Sequence, residues 1–243
     1  MTDQHQHIAS AFDRDLEAIQ ALLMKMGGLV EDSIRKSAKA LKQRDLELAE
    51  KVRKGDKQID ALEEQISLEC ARVVAIRQPA ASDLRTVLTV MKVATNLERI
   101  GDYSKNIAKR TEVLSQLPLI EGASGAVKRM SKEVQAMLTD ALDSYIKRDA
   151  ALADEVRHRD IEVDQMYNAL FREFLTFMME DPRNISACMH LHFIAKNVER
   201  AGDHVTSIAD QVIYLATGEL PDEARPKGNG APYDPSMFQE SDE

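Results

Sequence analysis

Eight carboxylates carry the chemistry this sequence offers. They form four acid-x-x-x-acid pairs: Asp56/Asp60, Glu98/Asp102, Asp160/Asp164 and Glu199/Asp203. A spacing of four puts both members on one helix face. Taken singly, such a pair is ordinarily a solvated face that loses about 0.2–0.5 kcal/mol to like-charge repulsion. The placement of the four pairs changes that reading. In a helical hairpin, residues equidistant from the turn lie opposite each other. Asp60 with Glu98, and Asp56 with Asp102, share a midpoint at Pro79; Asp164 with Glu199, and Asp160 with Asp203, share one between Asp181 and Pro182. Each set of four acids is expected to meet across one helix pair, about 28 Å from its turn at 1.5 Å per residue. Clustered carboxylates repel unless a cation or protons neutralise them, and finding the arrangement twice points to metal binding. All-oxygen ligation favours hard ions such as Mg, Mn or ferric iron over zinc, and four carboxylates have room for more than one ion.

Other residues add less. Gly101 and Gly202 sit inside the acid pairs, where helix propensity disfavours them by about 1 kcal/mol; close approach of a neighbouring helix or a ligand would account for them. Arg99 and Arg200 follow the glutamates and are expected on another face. His5, His7, His190, His192 and His204 form no ligand pattern. Glu155-x-x-His158 is half of a di-iron signature that has no second copy. Phosphate-binding, nucleophile-elbow and dinucleotide-binding glycine motifs are absent. No catalytic residue and no organic cofactor is expected.

The elements that must hold these acids are helices. Phe12, Leu16, Ile19, Leu23, Met26, Val30, Ile34 and Leu41 follow a helical period, as do Val52, Ile59, Leu62, Ile66 and Val73, and Val156, Val163, Tyr167, Leu170, Phe174 and Phe177. Six helices are expected, at about 9–42, 46–76, 82–114, 124–147, 150–179 and 184–216. Gly27-Gly28 reads as a bend or a close packing point, not an end. Asp45 and Asp149 read as N-caps, Asp181-Pro182 as a cap followed by proline at the first helical position, and Gly218 as a C-terminal stop.

The two halves repeat. Arg44-Asp45 returns as Arg148-Asp149, VRKGDKQID (52–60) as VRHRDIEVD (156–164), and NLERIGD (96–102) as NVERAGD (197–203). The expected fold is all-α: a tandem duplication of a three-helix bundle, with residues 1–117 as the first repeat and 118–217 as the second. Residues 218–243 hold four of the seven prolines and carry seven acids against two bases, which reads as a flexible acidic tail.

Charge and composition limit the partners. The net charge of −9 argues against broad nucleic-acid binding and against direct docking on anionic lipid. Cys70 and Cys188 stand far apart, as in a reduced cytosolic protein. No apolar run approaches the roughly 20 residues that span a bilayer, and the N-terminus does not read as a secretory signal.

RQPAASDLR (77–85), NLERIGDYSKNIA (96–108), FMMEDPR (177–183) and NVERAGDHVTSIAD (197–210) on this duplicated frame strongly resemble the PhoU family of phosphate-transport accessory proteins. The resemblance covers roughly residues 8–217. It implies a cytoplasmic regulator without catalytic activity, which restrains phosphate uptake and represses the phosphate-starvation response. The implied partners are the ATPase subunit of the phosphate ABC transporter, a PAS-containing sensor histidine kinase and a second copy of the chain; the membrane is reached only through partners. It also implies multinuclear metal clusters on acid pairs matching Glu98/Asp102 and Glu199/Asp203, faced here by Asp56/Asp60 and Asp160/Asp164. RQPAASDLR itself reads as a helix connection in which Ser82 or Asp83 caps the third helix. The alternative function is a metal-storage or redox protein built on the carboxylates.

Overall fold

The computed structural model describes the backbone of residues 2–221 and the side chains of residues 11–221. Most of the expected tail, from residue 222 on, lies outside the described residues, as do the side chains of His5 and His7. Six long helices account for the rest: α1 (Thr2–Gln43), α2 (Leu46–Arg77), α3 (Ser82–Leu114), α4 (Ala123–Lys147), α5 (Ala150–Glu180) and α6 (Ile185–Thr217). A 3-10 turn, Pro182–Asn184, leads into α6. No strand occurs among the described residues.

The periodic apolar positions face inward, as their spacing requires. Phe12, Ile19, Leu23, Met26, Val30, Ile34 and Leu41 of α1 are buried, as are Val52, Ile59, Leu62, Ile66 and Val73 of α2 and Val156, Val163, Tyr167, Leu170 and Phe174 of α5. All six helices feed one continuous core. Within each repeat the helices run up, down and up; across the repeats α1 packs on α4 and α3 on α6. The four helices α1, α3, α6 and α4 thus make a central square, with α2 flanking one side and α5 the other.

The chain is turned by the same device in both repeats. Arg44 and Arg148 adopt left-handed backbone conformations, with φ of 51° and 52°. Each is followed by an extended aspartate whose carboxylate accepts from the new helix: Asp45 from the Leu48 amide, Asp149 from the Ala151 and Leu152 amides. The repeated Arg-Asp dipeptide is therefore one turn used twice. Asp181 accepts from the Arg183 amide, but the segment it caps is the 3-10 turn and not α6 directly. Gly218, at φ 90°, ends α6, and the Arg85 guanidinium from α3 lies against it, where a cation suits the negative end of a helix. The third helix departs from expectation. Ala81, at φ 48°, takes the N-cap position, and no side chain caps the helix there; Ser82 and Asp83 lie inside its first turn.

Glycines set how closely the helices approach. At Gly27 a Cβ would lie 2.6 Å from Leu142 Cδ1, so α1 and α4 pack tightly there and α1 continues through the Gly-Gly pair. At Gly202 a Cβ would lie 2.9 Å from Asp160 Oδ1 on α5. Asp160 is only 1% exposed and has little room to yield. Gly28, one residue from Gly27, has nothing within 4 Å of a Cβ. Gly202→Ala is therefore expected to cost about 1–2 kcal/mol, the steric term outweighing the gain in helix propensity. Gly28→Ala is expected to gain up to about 1 kcal/mol. Urea unfolding of the two variants checks both signs, and a stabilised Gly202→Ala would contradict the packing argument.

Candidate functional site

The acids lie along two helix seams, α2 against α3 and α5 against α6. The registers are those the hairpin arithmetic expects. Thr95 on α3 donates to Glu63 on α2 at 3.3 Å, a pair whose midpoint is Pro79. Lys196 of α6 lies 5.1 Å from the centre of the Tyr167 ring on α5, a pair centred between Asp181 and Pro182. Gly101 and Gly202 hold the seams close: Ile59 of α2 packs on Gly101, and Val163 and Asp160 of α5 pack on Gly202.

In the first seam Asp56 is 2% exposed. Lys105, on α3, donates to Asp56 Oδ2 at 2.5 Å and to Asp102 Oδ1 at 2.9 Å, so one ammonium joins acids from both helices. Those hydrogen bonds hold the Lys105 pKa above its usual range. Asp56 Oδ1 faces Gly101 and has no hydrogen-bond partner. Asp60 and Glu98 complete the group. Burial raises the carboxyl pKa of each; Asp56 and Asp102 raise Asp60 further, and Asp102 and Asp60 do the same to Glu98. Arg99 does not turn away as expected: its guanidinium reaches Glu98 at 3.5 Å and Asp102 at 3.8 Å. A short arginine-carboxylate reach across one helical turn overrides the nominal face.

The second seam is built alike but neutralised differently. Asp160 occupies the place of Asp56 and is equally buried. Position 206, which corresponds to Lys105, is a threonine whose hydroxyl bonds the Asp203 carbonyl. The lysine is instead Lys196, which donates to Glu199 Oε1 at 2.7 Å; its counterpart in the first repeat is Thr95. Glu199 Oε2 is buried without a hydrogen-bond partner. Burial raises the Glu199 pKa, Lys196 opposes that, and Asp203 and Asp164 add to it.

The first seam thus couples its four acids electrostatically; in the second, Glu199 couples to Asp203 and Asp164, and Asp160 lies against Gly202. Among the described residues, however, no three His, Cys, Asp or Glu side chains converge closely enough to hold a metal ion as they stand. Lys105 and Lys196 are the residues that the acid pattern missed. Each lies three positions from an acid on the same face, but neither lysine recurs in the other repeat, so the duplication concealed them. His192 lies against Tyr167 and Phe171, and burial followed by Lys196 lowers its pKa. His190 Nδ1 lies 3.1 Å from the Arg110 guanidinium.

Comparison with known proteins agrees with this frame. The PhoU domain matches residues 23–111 and again 127–212. A phosphate-specific transport system accessory protein PhoU homolog from Rhizobium meliloti is 43% identical over 223 residues, covering 92% of this chain and 94% of its own length. A homolog of the same description from Pseudomonas aeruginosa is 41% identical over 216 residues, covering 87% of this chain and 88% of its own. The crystal structure of PhoU from Pseudomonas aeruginosa superposes with a TM-score of 0.83 at 40% identity, covering 86% of this chain and all of that one. The phosphate transport system regulatory protein PhoU from Streptococcus pneumoniae gives 0.79 at 32% identity, covering 87% and 100%.

The raised Glu199 carboxyl has a consequence for stability. Because the folded pKa lies above the unfolded one, the folded chain keeps a proton that the unfolded chain releases first. Stability is then lost as pH rises from the unfolded value through the folded one. Glu199→Gln removes that loss. In the presence of chelator its melting temperature, relative to wild type, is expected to be more favourable at pH 7 than at pH 4. A difference that stays constant across this range would show that Lys196 already offsets the burial in full.

Proposed function

The chain belongs to the PhoU family, and from that membership we propose that it is a non-enzymatic, cytoplasmic regulator of phosphate homeostasis. It restrains phosphate transport and represses phosphate-starvation signalling. The observation that carries the reading is the match to the PhoU domain in both halves of the chain. It is supported by relatives described as accessory proteins of the phosphate-specific transport system that align over nearly their whole length. No helix among the described residues is long and apolar enough to cross a membrane, so on this reading a transporter is met through its cytoplasmic parts. The proposed partners are the ATPase subunit of the phosphate ABC transporter and a PAS-containing sensor histidine kinase, with the chain acting as a homodimer.

The carboxylate seams are proposed to bind hard cations, Mg, Mn or Fe, with Asp56, Asp60, Glu98 and Asp102 serving one site and Asp160, Asp164, Glu199 and Asp203 the other. The donor chemistry suits such ions: the donors are all oxygen, Asp56 Oδ1 and Glu199 Oε2 are buried without hydrogen-bond partners, and three carboxyls have raised pKa values. Binding would require the acids to draw closer together than they stand. A bound ion would supply the positive charge that lets all four acids stay ionised. In the first seam it competes with the Lys105 ammonium for Asp56 and Asp102. In the second seam it competes with the Lys196 ammonium for Glu199.

Two experiments test these proposals. Metal content of protein purified without chelator should fall sharply in the double variant Asp102→Ala/Asp203→Ala and should rise in Lys105→Met. Unchanged content in the double variant would remove the sites from these seams. Deleting the protein should leave phosphate-starvation genes on in phosphate-rich medium, and deleting the sensor kinase as well should silence them. Genes that stay on without the kinase would contradict the proposed route.

A further inference from the structure

We propose that the cleft between the C-terminal part of α1 and the N-terminal part of α4 binds a free ligand of the oligophosphate class. The helices cross antiparallel here, and the cleft between them is about 430 Å³, within the range of small-molecule sites. Its walls carry Arg35 and Lys42 from α1 and Lys128, Arg129 and Lys132 from α4, and no carboxylate lines it. This is a local reversal of sign in a chain of net charge −9. Residues 33–44 contain five cations and no acid, and residues 122–132 contain three and no acid.

No nearby acid opposes the α4 wall or Lys42. Glu133 and Asp140 of α4 turn to the opposite flank, where both accept from Arg159 of α5. Asp32 does not line the cleft, but it pairs with Arg35 of its wall as well as with Lys36, which leaves four cations to face a ligand. Lys42, Lys128, Arg129 and Lys132 form no ion pair among the described residues. A concave site lined by one sign of charge concentrates counter-ions of the other.

The dimensions and donors narrow the ligand. Arg35 and Lys42 are two helical turns apart, about 10 Å, and Lys128 and Lys132 one turn apart. Positive charge therefore extends along the cleft on both walls, more than a single orthophosphate can meet at once. Arginine and lysine are the usual phosphate donors, and Gln135 adds an amide. The lining has no aromatic ring, so nothing stacks on a base, and the phosphate chain alone would be recognised. This inference goes beyond the regulatory reading and does not depend on it.

Tripolyphosphate is the probe, titrated calorimetrically into the full chain at about physiological salt. The expected result is saturable binding at one site, at least about tenfold tighter than orthophosphate. Lys128→Gln/Arg129→Gln should weaken it about tenfold or more, and Lys42→Gln, from the other wall, should weaken it several-fold; circular dichroism checks that both variants fold. Lys54→Gln/Lys147→Gln, on other surfaces, should leave it within about twofold. Absent saturation, equal affinity for orthophosphate, or equal loss in the control variant would each overturn the proposal. Retention on phosphatidylglycerol vesicles without tripolyphosphate binding would also overturn it. None of these outcomes bears on the gene-expression test of the regulatory reading, so the two can fail separately.

Discussion

A carboxylate buried in the seam of a helix hairpin must meet positive charge or a proton. Asp56 and Asp160, at 2% and 1% exposure, set that requirement in both repeats, because an unpaired buried charge costs several kcal/mol. Gly101 and Gly202 tighten it further. With no side chain of their own, they let the facing helix approach until Asp56 and Asp160 lie against backbone. Close packing, which stabilises the hairpin through its core contacts, is thus what deprives these acids of water.

The two repeats place their lysines differently. In the first, Lys105 spans the seam and binds one acid from each helix. In the second, Lys196 stays on its own helix, bonds Glu199 and lies over the Tyr167 ring. The backbone frame is duplicated and the cation is not. A lysine bridging two helices ties the first seam together independently of any bound ion. Each seam keeps raised carboxyls, Asp60 and Glu98 in the first and Glu199 in the second, and a buried carboxylate oxygen without a hydrogen-bond partner. Two seams that look equivalent as acid patterns therefore differ in which acid meets the ammonium: Asp56 and Asp102 in the first, Glu199 in the second.

Charge is also sorted across the molecule. The acids gather in the flanking seams, α2 with α3 and α5 with α6, while the α1–α4 cleft holds cations alone. Arg159 enforces part of this sorting by drawing Glu133 and Asp140 to the α5 side of α4. The net charge of the chain conceals a surface with two opposed electrostatic regions. The sequence-level argument against anionic partners holds for the average surface and not for this cleft.

The sequence by itself determined the helices, their inward faces, the duplicated turn and the hairpin registers. These follow from rigid local geometry: 3.6 residues per turn fixes which side chains share a face, and a short connection fixes which residues lie opposite. Hence Val52, Ile59 and Phe174 are buried where their period places them, and Thr95 meets Glu63 about Pro79. Only the tertiary structure decided the rest. The pairing of α1 with α4 and α3 with α6 joins both repeats into one core, and it depends on fits such as Leu142 over Gly27, between residues more than a hundred positions apart. The roles of Lys105, Lys196 and Arg99 rest on how far flexible side chains reach, which spacing does not specify. Ala81, and not Ser82 or Asp83, holds the N-cap position of α3, with no side chain capping the helix. The cationic cleft arises only when two segments from different repeats are brought side by side, for neither wall is a site alone.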